Sequence, residues 1–415
     1  MTETTFSKKL FNAGVIVAAL GYFVDIYDLL LFSTVRKSSL ESLGYNAQEV
    51  KDLGLMLLNV QMIGMLIGGV LWGIVGDKKG RLSVLFGSIL LYSIANIANG
   101  FVNDATLYAV LRFIAGIGLA GELGAGITLV AESLPADKRG WGTTIVATIG
   151  VSGAVFAGII SKYFDWRSCY FFGGALGLCL LILRIGVYES GIYTKILAEK
   201  VEKGNFFMLF KNAAIFKKYL YCILIGLPTW FTIGILVTFS PEFAKTLKIS
   251  GVITGAEAIM WSYAGITLGD LACGLLSQFL QSRKKAVFAF LIFTAFSFVL
   301  YFTAWGRSAN YLYTVMFLMG FGTGFWAVII TIAAEQFGTN IRATVATSVP
   351  NFIRGSLPII TIFYTFFIAI LSKTIEKPMA ELYSAGIVGV IIILLPLWAL
   401  SKTEETFGKN LDYTE

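Results

Sequence analysis

The sequence predicts an all-α integral membrane protein of twelve transmembrane helices, arranged as two pseudo-symmetric six-helix bundles. Three observations lead there. Of the 415 residues, 57% are hydrophobic and only 14% charged, with a mean hydropathy of +0.78, more apolar surface than a water-soluble fold has interior to bury. The apolar runs come close to the ~20 residues that carry a helix across a bilayer, and they lack the alternation of a membrane barrel. The chain also repeats itself. Ala131-Glu132-Ser133-Leu134-Pro135-Ala136-Asp137-Lys138-Arg139 returns as Ala334-Glu335-Gln336-Phe337-Gly338-Thr339-Asn340-Ile341-Arg342, and Gly68, Gly73 and Asp77 are echoed by Gly269, Gly274 and Gln278.

Hydropathy places the spans at about 11–34, 53–75, 82–101, 106–132, 142–161, 168–188, 219–240, 255–279, 286–304, 310–335, 345–371 and 381–400. With both termini in the cytoplasm, roughly 19 Lys and Arg fall inside and roughly 10 outside, the bias that orients membrane helices. The densest basic groups, Lys78-Lys79-Arg81, Lys138-Arg139, the central linker and Arg283-Lys284-Lys285, share the inner side. The chain therefore divides into a first bundle over 1–190, a basic cytoplasmic linker over 191–218 that lies along the membrane surface, and a second bundle with a short tail over 219–415. Lys8-Lys9 lead straight into a full-length span, so no cleavable leader is expected. A monomer in the plasma membrane, of the bacterial inner-membrane type, is the expected setting.

Two similar bundles at matched depth, with a pathway between them, form a transporter's layout. External loops are too short for a soluble catalytic or ligand-binding domain. There is no histidine, and Cys169, Cys179, Cys222 and Cys273 are scattered without metal-ligand spacing. Neither metal, cofactor nor enzymatic nucleophile is expected. The net charge of +7 is distributed as an orientation signal rather than a nucleic-acid surface. A non-transporting receptor on the same scaffold would need an output domain. Gly64, Gly68, Gly69 and Gly73 in the second span, with Gly116, Gly118, Gly121, Gly124 and Gly126 in the fourth, suit close helix packing.

Gly73-Ile-Val-Gly-Asp77-Lys78-Lys-Gly80-Arg81 resembles the signature loop of the major facilitator superfamily. Gly73 permits close helix approach, Gly80 a tight turn, and Asp77 can accept from a neighbouring helix N-terminus. The resemblance covers nearly the whole chain and implies that Asp77 docks against the eleventh helix, helping to shut the cytoplasmic side. Leu82 stands where a second basic residue is usual, and Gln278 replaces the aspartate in the second half. Glu132, Pro135, Arg139 and Gly140 resemble the loop after the fourth helix in sugar-porter-like members. By that resemblance Glu132, Arg139, Arg81, Glu335 and Arg342 form a cytoplasmic latch, of ion pairs each worth ~0–1 kcal/mol. Of the sugar porters' Pro-Glu-Ser-Pro-Arg only Glu189-Ser190 is present, and the fifth span lacks the Gly-Pro of drug/proton antiporters. Asp25-Ile26-Tyr27-Asp28 followed by Leu111-Arg112-Phe113-Ile-Ala-Gly116-Ile-Gly118 looks more like the aromatic-acid and metabolite proton symporters, as does the tail Glu405-Thr406-Phe407-Gly408.

Ionisable residues within a span cost ~2.5–3.5 kcal/mol each and are functional candidates. Asp25 and Asp28 share a face of the first helix. Asp28 and Arg112 lie at a similar depth from the outer surface, which suggests a pair that proton binding to Asp28 would release. Asp25, with no evident partner, is the candidate titrating site; without histidine, proton coupling falls to carboxylates. Glu122, Asp270 and Arg354 share a level nearer the cytoplasm. Arg354 either binds an anionic substrate or pairs with Asp270. Pro350, Asn351 and Pro358 should bend the eleventh helix and free carbonyls. Gln61, Trp230, Trp261 and Trp326 combine a polar handle with an apolar body, and depth favours Gln61 and Trp326 for the substrate site, with Asn351 and Arg354. The expected activity is secondary active transport of a small organic solute by alternating access, coupled to protons as symport and suited to a carboxylate-bearing metabolite. A sugar or polyol symporter and an uncoupled facilitator are the alternatives.

Overall fold

The computed structural model describes residues 13–79, 81–122, 139–189, 206 and 208–408. They form helices in the anticipated order, and among the described residues there is no strand beyond an isolated bridge between Ser250 and Ser308. Spans 1 to 6 are Ala13–Ser42, Ala47–Lys79, Arg81–Asn99, Ala105–Leu119, Arg139–Tyr163 and Trp166–Glu189. A short helix Met208–Lys211 precedes span 7, which runs over Ala213–Phe231 and continues in the wider π geometry over Thr232–Val237. Spans 8 and 9 are Gly255–Phe279 and Arg283–Phe302; span 10 comprises Ala309–Thr323 and Trp326–Glu335; span 11 comprises Thr339–Gly355 and Leu357–Leu371; span 12 is Lys377–Lys402. Among the described residues, ten helices are long and apolar enough to cross a membrane, and Ser83–Asn99 and Ala105–Leu119 are shorter apolar helices.

The ends differ from the hydropathy reading for identifiable reasons. Span 1 runs on to Ser42 instead of stopping near residue 34, and within this extension the hydroxyls of Ser38, Ser39 and Ser42 are satisfied by carbonyls three residues earlier. Span 2 starts at Ala47: Asn46 Oδ1 accepts from the N–H of Gln48 and Glu49 at 3.0 Å, while Glu49 accepts from the Asn46 N–H at 2.8 Å. That reciprocal cap satisfies amides that the lipid boundary would otherwise strand. Asp104, Thr254 and Ser308 cap spans 4, 8 and 10 through side-chain oxygens that accept from N–H groups of the first turn. At span 6, the Ser168 hydroxyl and the N–H groups of Ser168 and Arg167 hold the Asp165 carboxyl below its ordinary range.

The repeat seen in the sequence is also a packing repeat. A Cβ on Gly64 or Gly68 of span 2 would collide with the carbonyl oxygen of Phe113 or Ile117 in span 4; one on Gly265 or Gly269 of span 8 would collide with that of Phe317 or Phe321 in span 10. In return, Gly116 faces the Gln61 carbonyl and Gly320 the Ser262 carbonyl. Both helix pairs thus pack backbone to backbone at equivalent positions. Span 4 ends at Leu119, and the first segment of span 10 ends at Thr323, the matching point of the repeat. Gly73, expected to allow close approach, makes none among the described residues: a Cβ added there would meet no atom within 4 Å.

The chain after span 12 folds back onto span 9. Glu405 accepts from the Ser282 hydroxyl and from the N–H of Arg283 at 2.9 Å and Lys284 at 3.3 Å. Thr406 donates to Glu335 at 2.6 Å, and Arg283 lies over the Phe407 ring, 5.1 Å from its centre.

Two outcomes are expected. Gly68→Val or Gly269→Val should each lower the stability of the detergent-purified protein by about 1–3 kcal/mol, read by thermal unfolding, whereas Gly274→Ala, whose new methyl meets no described atom within 4 Å, should leave it unchanged. Burial pushes the Glu405 carboxyl up, but the hydrogen bonds from Ser282, Phe407, Arg283 and Lys284 outweigh it and hold it below its ordinary range. Its contribution is therefore full above the ordinary carboxylate value and fades as pH falls through the lowered native one. Glu405→Gln should cost about 1 kcal/mol at neutral pH, and the gap from wild type should close on acidification below about pH 4.

Candidate functional site

Span 1 from the first half and span 11 from the second meet at a buried pair of opposite charges. Arg354 Nη2 lies 3.9 Å from Asp25 Oδ2, and the two side chains are 1% and 0% exposed. The contact is loose: among the described residues, neither Asp25 oxygen and neither Arg354 Nε nor Nη1 has a hydrogen-bond partner. Local sequence explains the placement of Arg354. Span 11 breaks at Ser356, and Pro358 stands in the first turn of the second segment, where a missing N–H costs nothing. Arg354 occupies the last turn before that break. Its guanidinium lies 5.8 Å from the centre of the Trp326 ring, and Trp326 opens the second segment of span 10. A narrow cleft lies here, lined by Tyr22, Ile26 and Val151 from the first half and Thr229, Trp230, Tyr263, Ile266, Trp326 and Arg354 from the second.

The other buried charges are arranged differently from the depth argument. Arg112 does not form an ion pair with Asp28. It donates to Asn96 Oδ1 at 2.6 Å and Asn99 Oδ1 at 3.3 Å, and lies 4.7 Å from the centre of the Tyr170 ring. Both Asp28 oxygens are buried without a hydrogen bond from any described residue. Arg112 still lies near enough to be the strongest charge acting on Asp28, so the two share a depth without forming a direct ion pair. Glu122 pairs with Arg184 of span 6 through both of its oxygens, each side chain 1% exposed. Asp270 accepts from the N–H of Ala327 at 2.8 Å, at the start of the second segment of span 10. The Arg354–Asp270 alternative is thus replaced by Arg354–Asp25.

Among the substrate candidates, Trp326 and Arg354 line the cleft. Gln61 donates to the Leu29 carbonyl at 3.2 Å within the first half. Asn351 donates across the halves to the Ala120 carbonyl at 2.9 Å and packs on Gly69. Trp261 is 43% exposed on the outer face of span 8. Of the cytoplasmic latch, Glu335 is described and bonds within its own half, to Arg283 at 3.4 Å and to Thr406. Glu132 lies outside the described residues, as do the side chains of Asp77, Arg81, Arg139 and Arg342.

Sequence reasoning misses Arg36 and Arg184. Arg184 is an ionisable residue inside span 6, which the rule applied to the other spans would have found. Arg36, assigned to a loop, is 1% exposed. It donates to both oxygens of Glu242, at 2.7 and 2.9 Å, and to the Thr238 carbonyl at 3.2 Å, with the Phe239 ring centre 4.3 Å away. Lys51–Glu381 and Lys162–Glu257, each at 2.6 Å, also join the halves. All three pairs lie at the end that the charge bias assigns to the outside, and they tie that end shut.

The pattern defining the Major Facilitator Superfamily matches residues 18–362. The chain belongs to this superfamily. A candidate niacin/nicotinamide transporter of Bacillus subtilis, NiaP, is 27% identical over 339 residues, which are 79% of this chain and 81% of the relative. The gentisate transporter of Corynebacterium glutamicum is 22% identical over 365 residues, 80% of this chain and 76% of the relative. The inward-open xylose transporter XylE of E. coli superposes with a TM-score of 0.70 at 17% identity, covering 96% of this chain and 97% of the other; at that identity the fold is what the two share. The protein is accordingly a membrane transporter of small organic solutes and not an enzyme.

Removing one partner of a buried pair leaves an uncompensated charge worth about 3–5 kcal/mol. Glu242→Gln should therefore shift the superfamily member toward an outer-open state. The check is labelling of Ile26→Cys by a membrane-impermeant maleimide in a background with Cys169, Cys179, Cys222 and Cys273 replaced. Labelling from outside is expected to accelerate at least about tenfold.

Proposed function

We propose that the protein is a proton symporter for a small carboxylate-bearing solute, and that the seat of coupling is Asp25 facing Arg354. The observation that carries this reading is the loose cross-half pair, in which two guanidinium nitrogens find no partner among the described residues. In the empty carrier the Asp25 carboxylate neutralises Arg354. A proton on Asp25 removes that counter-charge, and the cargo carboxylate takes its place on a guanidinium whose planar fork suits it. The cargo then restores neutrality at the centre while the halves rock about it. Proton and solute travel together because either alone leaves one buried charge unmatched.

Trp230, Trp326, Tyr22 and Tyr263 give the cleft flat apolar walls with polar edges, which favours a cargo with a planar ring. Of the solutes in the relatives' names, niacin and gentisate are aromatic carboxylic acids, while nicotinamide is the neutral amide of the same ring. A sugar or polyol finds fewer free donors here, since the amide N–H groups of Gln61 and Asn351 donate to the Leu29 and Ala120 carbonyls.

In proteoliposomes with an inward proton gradient, Asp25→Asn is expected to abolish accumulation above equilibrium while counterflow exchange persists. Arg354→Gln should raise the KM for niacin or gentisate by about tenfold or more, the loss of a charge-assisted pair. Uphill accumulation that survives in Asp25→Asn would remove proton coupling from this site, and an unchanged KM in Arg354→Gln would remove the carboxylate.

A further inference from the structure

We propose that Asp270 is a positioning residue: its carboxylate clamps the break in span 10 and thereby fixes the Trp326 wall against which Arg354 works. This rests on the reading of Arg354 as the cargo-binding cation and adds the device that holds its aromatic neighbour.

Span 10 stops at Thr323 and restarts at Trp326. A helix restarting inside a membrane protein exposes N–H groups that no preceding turn can accept, and hydrocarbon offers them no water. The residue before the restart, Phe325, supplies no side-chain cap. The acceptor comes instead from span 8, where Asp270 Oδ1 takes the Ala327 N–H at 2.8 Å. Close packing makes this reach possible. A Cβ on Gly324 would stand 2.7 Å from the Asp270 nitrogen and the Gly269 Cα, so the two backbones touch at the break and a short side chain suffices. A carboxylate at a helix N-terminus also gains from the aligned peptide dipoles.

In the first half, Gly69 stands where span 8 carries Asp270, since Gly68 and Gly269 make equivalent contacts. There the Ala120 carbonyl, just after the described end of span 4 at Leu119, accepts from the Asn351 amide at 2.9 Å.

Trp326 is the first residue of the restarted segment, so the clamp sets where its ring stands relative to Arg354, 5.8 Å away. Among the described residues Asp270 makes no ion pair, and the carboxylate paired with Arg354 belongs to Asp25. A proton on Asp270 would therefore release no cross-half contact.

The test compares Asp270→Asn, which keeps an acceptor oxygen, with Asp270→Ala, which does not. Hydrogen–deuterium exchange on the purified protein should show residues 324–330 exchanging about tenfold faster in the alanine variant, as expected for losing a hydrogen bond to a charged group, and unchanged in the asparagine variant. In proteoliposomes with niacin and gentisate as probes, the alanine variant should raise KM about fivefold or more (~1 kcal/mol) with its gradient-driven accumulation ratio intact. The asparagine variant should match wild type in both. Unchanged exchange in Asp270→Ala would overturn the clamp, and raised exchange with an unchanged KM would overturn the positioning of the wall. Loss of uphill accumulation in Asp270→Asn with exchange transport retained would make Asp270 a proton carrier instead. If neither acid is carried, the cargo class falls on its own and the deuterium experiment still decides the clamp.

Discussion

A guanidinium held away from water needs a facing anion or a dense set of acceptors, and this condition organises the centre of the transporter. The three central arginines meet it in three ways. Arg112 is served by two asparagine oxygens and a tyrosine face, Arg184 by Glu122, and Arg354 by Asp25. The first two arrangements lie inside one half and can persist through a transport cycle. The third bridges the two halves and has to be broken and remade. In the proposed cycle, the halves part at the centre once a proton and the cargo have replaced this pairing, which avoids the cost of about 3–5 kcal/mol of leaving one buried charge bare. The outer pairs Lys51–Glu381 and Lys162–Glu257 are partly exposed and individually cheap to open, at ~0–1 kcal/mol.

The glycine contacts complement this arrangement. Within each half, spans 2 and 4 and spans 8 and 10 touch backbone to backbone, which leaves little room for sliding. Contacts between the halves mix side chains and backbone: Gly69 meets the Asn351 side chain and Gly355 meets Leu66, while Gly158 meets the Ala256 carbonyl as well as Met260, and Gly255 faces the Ser33 carbonyl.

Much of this is legible in the sequence, and the failures have a common cause. Hydropathy and the repeat recover the order of the spans, and the rule against buried charge picks out Asp25, Arg354 and Glu122. Partner assignments are less successful. A residue's height can be counted along a helix, but its azimuth and the true helix end come only from packing. Height matches Asp28 to Arg112, and Arg112 does act on Asp28, yet its hydrogen bonds go to Asn96 and Asn99 on span 3. Asp270 and Arg354 share a level but face different neighbours. Arg36 reads as a loop residue because its counter-charge, Glu242, is remote in sequence and gives no local signal. Glu335, placed in a latch between the halves by family resemblance, is held within its own half by Arg283 and Thr406.

The fold-back of the chain after span 12 has a consequence for how the protein is made. The first turn of span 9 relies on Glu405 for amides that its own loop leaves open, and Glu405 leaves the ribosome only after three more spans have been synthesised. During insertion, the Arg283 and Lys284 amides must therefore wait for Glu405, while Ser282 already caps the Lys285 N–H. The first turn of span 9 acquires its full set of acceptors only once the segment beyond span 12 has folded back.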